Sequence, residues 1–180
     1  HLSHSPMEFM ASLAWVHDDR CEIWASTQDP EGIQKTLAEY LGRKPEDITV
    51  HVMAAGGAFG RKFMCDYVQE AAALSRAVGA PVSLTWSREE DTRTGYYHSC
   101  TAQHIEASID ADGKVTGWLH RAAFPTIGSL FDPSIAQPTA EDLEDISKHP
   151  YGIASMQVES GFAPAHTRIG WYRAVYAIFY

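Results

Sequence analysis

The sequence predicts an α+β fold in which a mixed sheet carries two main helices and a β-hairpin. Three observations support this prediction. Several short runs alternate apolar and polar residues, as half-buried strands do, and two longer segments place apolar residues at helical spacing. The elements also follow the order β-β-α-β-α-β before a hairpin and a long loop, which differs from the regular alternation of a doubly wound parallel sheet.

Composition narrows the class of protein. The chain has 180 residues, of which 45% are hydrophobic, so it can bury a sizeable core. Its formal net charge of −9 argues against a general binder of nucleic acid or anionic membranes. The three cysteines are far apart and odd in number, which favours neither a disulfide framework nor a CxxC metal site. Because it opens at His1 and closes on an apolar, strand-like run at 175–180, we expect an excised piece of a longer protein.

Two short strands are predicted near the start, at 13–16 and 21–25, joined by a turn. A helix follows, because Asp29 can cap its N-terminus and Pro30 suits its first position. Gly42 is expected to end this helix. Its predicted apolar face consists of Ile33, Leu37, Tyr40 and Leu41.

A buried strand at 48–54 leads into a glycine loop at 56–60 and then a second helix over about 63–78. The alternation at 82–86 predicts another strand, and the capping-box spacing at 87–90 predicts one helical turn. Two core faces fit the second helix: Val68, Ala72, Ser75 and Val78, or Tyr67, Ala71 and Leu74.

Residues 101–122 are predicted to form a hairpin, in which His104 and His120 are cross-strand neighbours and a structural pair. Prolines and an acidic patch over 124–152 indicate a long surface excursion with one short helix. A further strand is predicted at 153–159.

The glycine loop is the most informative local feature. A predicted strand precedes it and a predicted helix follows it, so free backbone N–H groups should converge there. Arg61 and Lys62 add positive charge next to the loop. Two interpretations stay open: an anion cradle for a phosphate or an oxo group, and a turn required by tight strand–helix packing. The loop is neither a Walker A loop nor a Rossmann fingerprint, because Gly60 is followed by Arg61-Lys62-Phe63 and GxGxxG does not fit its glycines.

Other candidate residues are scattered along the chain. Gln28 lies between a strand end and a helix start, where a neutral amide could bind an oxo or hydroxyl group or simply face solvent. His4, Met7 and Glu8 are too few for a metal site, so no direct metal ligand is predicted. In 171–173, an arginine beside two bulky aromatic residues indicates a constrained site.

Five segments in series resemble those of one family: His4–Glu8, Ser26–Pro30, Gly56–Lys62, Pro81–Asp91 and Trp171–Val175. Through them, the chain resembles the molybdenum-cofactor-binding large subunit of the xanthine dehydrogenase/aldehyde oxidase family, in particular the isoquinoline 1-oxidoreductase and bacterial membrane-bound aldehyde dehydrogenase branch. The resemblance covers nearly the whole chain, and it implies that the α+β fold is part of a larger molybdopterin-binding domain.

This resemblance implies an oxidoreductase that hydroxylates an aldehyde or an N-heteroaromatic substrate with water-derived oxygen. The implied cofactor is molybdopterin with molybdenum, often in the cytosine dinucleotide form. The implied partner is an iron–sulfur subunit, with a c-type cytochrome subunit as a second candidate and no nucleic acid. A bacterial complex at the periplasm or membrane is favoured over a cytoplasmic one. Alone, the chain is expected to be inactive and to hold no cofactor.

The motifs also imply residue roles. Gln28 would bond the apical oxo group, and Phe59 would do so through its backbone N–H. Arg173 would line the molybdenum site. No catalytic residue is expected in this chain, because the base glutamate of the family lies in a Gly-x-Gly-Glu motif that nothing here matches. The implied cofactor-binding residues are Gln28, Gly56, Gly57, Phe59, Gly60 and Arg173.

Three departures from the family pattern refine these expectations. Phe63 stands where the xanthine-oxidising branch carries a substrate-binding acid, which disfavours a purine and favours an aldehyde or an apolar heteroaromatic substrate. Phe9 replaces a usual proline, and Ala58 replaces the usual middle glycine of the loop. The alternative function is a non-catalytic module that binds a phosphate-bearing ligand at the glycine loop.

Overall fold

The computed structural model describes residues 2–135, 137–148 and 150–175, and the chain divides into two compact units. One unit comprises residues 3–96; the other comprises residue 2 and the chain from residue 97 onward. Each unit contains a mixed sheet with helical segments, which confirms the α+β class. The strand-like run predicted at the C-terminus lies, from residue 176 onward, outside the described residues.

The sheet of the first unit has four strands in the order β3-β2-β1-β4. Strand β1 runs antiparallel to both β2 and β4, whereas β2 and β3 are parallel. Alternate residues of β1 and β2 face the helices, so that Ala14 and Ile23 lie opposite each other and are fully buried. The four strands are β1 (Ala11–Val16), β2 (Cys21–Ala25), β3 (Ile48–Val52) and β4 (Val82–Thr85).

The first helix, α1 (Pro30–Leu41), has the predicted boundaries. The Asp29 carboxylate accepts the Gly32 N–H at 2.9 Å, and Gly42 ends the helix in the left-handed conformation. The prediction that Tyr40 lies on the buried face is wrong, because its side chain is 47% exposed. Within the described residues, the longest helix has only 13 residues, and none is suited to crossing a bilayer.

The second helix, α2 (Asp66–Val78), starts later than predicted, because a 3₁₀ turn (Arg61–Phe63) separates it from the glycine loop. Its buried face combines the two predicted alternatives, and Leu74 and Val78 of those sets are exposed. The buried residues of α2 are Tyr67, Val68, Ala71, Ala72 and Ser75, and all of them except Ser75 join the hydrophobic core formed with β1, β2 and α1.

Two further predictions need correction. Strand β3 is not buried throughout, because it is an edge strand in which only Ile48 is fully enclosed, and Val52 is 57% exposed. The turn predicted after β4 is a longer helix, α3 (Arg88–Thr94). Ser87 caps it by accepting the Glu90 N–H at 3.1 Å, as the capping-box spacing predicted.

The sheet of the second unit has three strands in the order β5-β6-β7. The first two form the predicted antiparallel hairpin, and β7 adds in parallel to β6. The connection between β6 and β7 contains a 3₁₀ turn (Ile127–Leu130) and a short helix, α4 (Glu144–Ser147). The strands are β5 (Ala102–Ile109), β6 (Val115–Phe124) and β7 (Ser155–Phe162).

The predicted pairing of His104 with His120 is wrong by one residue. His104 lies opposite Arg121, and His120 lies opposite Ile105. Because successive side chains of a strand point to opposite faces, the two histidines are on different faces of the hairpin. Each has its own partner instead: His120 contacts the Gln103 side chain at 2.8 Å, and His104 contacts Glu106 at 2.7 Å.

Candidate functional site

The glycine loop lies between β3 and the 3₁₀ turn, in a conformation that few residue types adopt. Gly57 has φ +107° and Gly60 has φ +100°, both in the range that favours glycine. Phe59 also has a positive φ, +56°, which is uncommon for a bulky residue and costs free energy. Backbone strain of this kind concentrates at ligand-binding loops, so the conformation itself marks this segment as a candidate site.

The beginning of the loop is fixed by Glu8. The Gly56 N–H donates to Glu8 Oε2 at 2.5 Å, and the Glu8 N–H donates to the Gly56 carbonyl at 3.2 Å. A Cβ atom at residue 56 would lie only 2.9 Å from the Glu8 Cβ. Glycine is therefore required here for the close approach of the two segments.

The end of the loop is bonded to Gln28. The Gly60 N–H donates to Gln28 Oε1 at 3.0 Å, and the Gln28 N–H donates to the Lys62 carbonyl at 3.1 Å. A backbone N–H can pair only with the oxygen of a side-chain amide, so this bond sets which half of the Gln28 amide is used. In the described part of the chain, Gln28 Nε2 has no acceptor.

Three further donors, all backbone N–H groups of the loop, lack a partner in the described structure. Among residues 2–135, 137–148 and 150–175, no group accepts the N–H of Gly57, Ala58 or Phe59. Together with Gln28 Nε2, these groups form a set of neutral N–H donors. Such a donor set suits an oxygen acceptor, and it fits either an oxo group or a phosphate.

The cations next to the loop do not contribute to it, contrary to prediction. Arg61 is 1% exposed, and both its terminal nitrogens bond the Asp66 carboxylate at 2.9 Å. Its guanidinium also lies near the rings of Trp86 and Tyr96, with centroids at 5.3 and 5.4 Å. A buried cation needs a counter-charge, and Asp66 supplies it, with the Asp91 carboxylate 3.8 Å from Arg61 Nε.

Lys62 is buried in the same way. Its Nζ donates to Glu8 Oε2 and to Ser26 Oγ, both at 2.6 Å, and Ser26 Oγ donates to Glu8 Oε1 at 2.8 Å. Partial burial acts to raise the pKa of Glu8, but the hydrogen bonds from Lys62, Gly56 and Ser26 outweigh it and hold that pKa below its usual value.

The remaining predicted residues of the first unit are His4, Met7 and Phe63. His4 Nδ1 is 2.8 Å from the Tyr96 carbonyl, and Met7 is 88% exposed. Across the described residues, no group of three or more His, Cys, Asp or Glu is arranged to hold a metal ion. Phe63 ends the 3₁₀ turn and is 42% exposed, so it presents an apolar side chain at the surface of this unit.

Arg173 belongs to the second unit, where it lies exposed in a turn. The backbone of this turn is constrained, because Ala174 has φ +67° and Val175 has φ +38°. Trp171 stacks on Phe131 with ring centroids 5.3 Å apart. The role of Arg173 therefore stays a prediction from its motif.

Comparison with known proteins identifies relatives for nearly the whole chain. A family model described as a molybdopterin cofactor-binding domain matches residues 1–175. The beta chain of isoquinoline 1-oxidoreductase from Brevundimonas diminuta is 32% identical over 121 residues, covering 66% of this chain and 16% of that protein. A nicotinate dehydrogenase component from Pseudomonas putida is 25% identical over 97% of this chain and 15% of its own length.

The fold has a close structural counterpart as well. The crystal structure of quinoline 2-oxidoreductase from Pseudomonas putida 86 superposes with a TM-score of 0.78 over 97% of this chain and 23% of that chain. At 21% sequence identity, this likeness establishes the fold alone. The chain thus spans 15–16% of the length of the two curated relatives, and most of each relative has no counterpart here.

Proposed function

The chain belongs to the family of molybdopterin cofactor-binding domains, and from this premise we propose that it forms one wall of the molybdenum site in a molybdenum hydroxylase large subunit. One observation carries the proposal. The Gly60 N–H holds Gln28 Oε1, which reserves Gln28 Nε2 as a donor beside a loop whose own N–H groups at 57–59 are unpaired within the described residues.

The donor set fits the cofactor for a chemical reason. When bound, the molybdenum cofactor supplies the two-electron oxidation and the transfer of water-derived oxygen. Gln28 and the Phe59 N–H would hold an oxygen on that cofactor, and as neutral donors they bind it without giving it a proton. Because Arg61 and Lys62 are paired inside the fold, the loop adds no net charge to the site.

We infer an aldehyde or N-heteroaromatic substrate for the complete enzyme. Two aromatic side chains of the loop region, Phe59 and Phe63, are 46% and 42% exposed and present apolar surface. Phe63 occupies the place of a substrate-binding acid in the xanthine-oxidising branch. The names of the relatives, an isoquinoline oxidoreductase and a nicotinate dehydrogenase, support a heteroaromatic ring.

The rest of the enzyme must come from outside this chain. We propose an iron–sulfur subunit as electron acceptor, molybdopterin in its cytosine dinucleotide form, and a periplasmic or membrane-associated complex. The isolated chain is proposed to be inactive, because it contains none of the Gly-x-Gly-Glu motif that carries the base. Turnover of any aldehyde by the purified 180-residue chain would contradict this.

The test uses the full-length parent complex, purified natively. We expect about one molybdenum per large subunit by elemental analysis and oxidation of members of a panel of aldehydes and N-heteroaromatic compounds. Gln28→Ala should lower that activity, since it removes the reserved donor. A folded, intact complex without molybdenum would contradict the proposal.

One observation favours a second candidate, a non-catalytic module for a phosphate-bearing ligand. The N–H groups of Gly57, Ala58 and Phe59, which lack partners in the described part of the chain, suit phosphate oxygens as well as an oxo group. Such a module would have to bind its ligand without help from Arg61 or Lys62, whose charges are already satisfied.

A further inference from the structure

We propose that Glu8 and Lys62 are positioning residues, which together hold the glycine loop and the Gln28 segment in register so that Gln28 Nε2 and the loop N–H groups meet one acceptor. This inference rests on the proposed function. Neither residue is expected to touch the cofactor or the substrate.

The first support is a closed ring of hydrogen bonds through three separate segments. Glu8 accepts from Gly56 at one end of the loop and from Ser26, two residues before Gln28. Lys62, just after the loop, donates its Nζ to both Glu8 and Ser26. The ring therefore links the N-terminal segment, the end of β2 and both ends of the loop.

The second support is the double attachment of Gln28 to the end of the loop and the residues after it. Its backbone N–H donates to the Lys62 carbonyl, and its side-chain oxygen accepts the Gly60 N–H. Thr27 Oγ1 also donates to the Lys62 carbonyl, at 3.3 Å. A shift of Lys62 would consequently move the backbone that carries Gln28 and the bond that orients its amide.

The third support is the burial of the pair. The Lys62 side chain is fully buried, and its ammonium is 2.6 Å from the Glu8 carboxylate, which is 31% exposed. A charge enclosed to this degree has few alternative positions, because any other site would leave it unpaired in a low-dielectric interior. The pair therefore resists the rotamer exchange that surface ion pairs undergo.

Removal of the Lys62 charge and removal of the Glu8 charge should affect folding differently. Lys62→Met keeps most of the length of the side chain and leaves Glu8 with access to water, so this variant should fold. Glu8→Gln leaves a buried cation without a counter-charge and is the riskier variant. The double variant Glu8→Gln/Lys62→Met removes both charges. It therefore leaves no buried cation without a counter-charge, but it does not restore the ring of hydrogen bonds.

The experiment measures hydrogen–deuterium exchange in the full-length parent protein, for peptides covering residues 53–63, together with molybdenum content and the electron paramagnetic resonance spectrum of the reduced metal. Lys62→Met and the double variant should each raise exchange in the loop by about tenfold or more and alter the spectrum. Ile33→Val is the matched control, since it loosens the core of the same unit at a buried apolar side chain that takes no part in the hydrogen bonds of the ring. It should leave both readouts unchanged.

The outcomes separate this inference from the function it rests on. Wild-type loop exchange in Lys62→Met, or an increase that Ile33→Val reproduces, would overturn the positioning role. A looser loop with an unchanged spectrum and full molybdenum would overturn it as well. A wild-type parent without molybdenum would refute the proposed function, and loop exchange would still decide whether Glu8 and Lys62 fix the loop.

Discussion

The Gly60 nitrogen and Gln28 Oε1 are 3.0 Å apart, and this single bond decides how the Gln28 amide is used. Because the oxygen accepts the Gly60 N–H, the amide nitrogen is the half that can donate to a ligand. Gln28 is an exposed residue, and this bond fixes the orientation of its amide. The contact therefore joins the glycine loop to Gln28, which immediately precedes Asp29, the N-cap of α1.

Substitution of Gln28 should distinguish the role of the amide nitrogen from that of the amide oxygen. Gln28→Glu keeps an oxygen that can accept the Gly60 N–H but has no N–H to donate, so we expect turnover by the parent complex to fall about 10–100-fold. Loop exchange should stay close to that of the wild type. Gln69→Glu, on α2, is the matched control and should leave turnover unchanged; equal losses in both variants would contradict the assignment.

Gly57→Ala should affect both stability and the site. At φ +107° an alanine is strained, and its Cβ would lie 3.1 Å from the Phe59 ring, so the free energy of unfolding should fall by about 1–3 kcal/mol. Gly79→Ala is a control at φ +67° with open space around it, with an expected cost of about 1–2 kcal/mol. Urea unfolding gives both costs, and only Gly57→Ala should lower the molybdenum content of the parent. A pure packing turn predicts full molybdenum in both.

Loss of Asp66 should be severely destabilising. It leaves the buried Arg61 guanidinium without its two-point partner, so we expect Asp66→Ala to lower the free energy of unfolding by about 3–5 kcal/mol. Glu31→Ala removes an exposed ion pair with Lys35 in the same unit and should be close to neutral in urea unfolding. Similar effects of the two substitutions would show that Arg61 is compensated by other groups.

Lowering the pH should remove the contribution of Glu8 to the stability of the fold. Its pKa is lowered in the folded protein, since the hydrogen bonds from Lys62, Gly56 and Ser26 outweigh partial burial. The ionised carboxylate therefore stabilises the fold fully above its ordinary pKa of about 4.5, and this stabilisation is lost as the pH falls through the lowered value. The stability difference between wild type and Glu8→Gln should shrink as the pH is lowered below 4.5; a constant difference would contradict the prediction.

Titration with phosphate compounds tests the alternative function. If the loop serves a molybdenum site, the parent complex already loaded with cofactor should show no tight binding of ATP or pyrophosphate by calorimetry. The apo form of the 180-residue chain is the second arm of the experiment. Stoichiometric, micromolar binding that Gly57→Ala abolishes and Gly79→Ala preserves would favour the phosphate-binding module.

The sequence is most informative where local chemistry decides structure. Asp29, Pro30 and Gly42 predict the ends of α1, because caps act within one turn of the chain. The family motifs also link Gln28 with the glycine loop, and the structure brings them together. The first signal is local, and the second is carried by a family motif.

Long-range partnerships cannot be predicted in this way. Arg61 and Lys62 look like charges available to a ligand, because nothing local reveals that Asp66 and Glu8 neutralise them inside the fold. In the sequence Glu8 is part of a family motif and a candidate metal ligand, and neither reveals that it anchors Gly56, because that contact spans 48 residues. The one-residue error in the His104 pairing has a similar origin, since register depends on the bulge near Ser108 and Ile109.

The parallel pairing of β7 with β6 has a consequence for the order in which the second unit assembles. The β5–β6 hairpin closes over a short turn and can form within microseconds, whereas β7 must return from beyond the long connection that carries α4. Until it docks, the far edge of β6 exposes unpaired backbone groups that another nascent chain can join. We therefore expect refolding yield to fall with protein concentration in this half of the chain, and slow dilution to recover it.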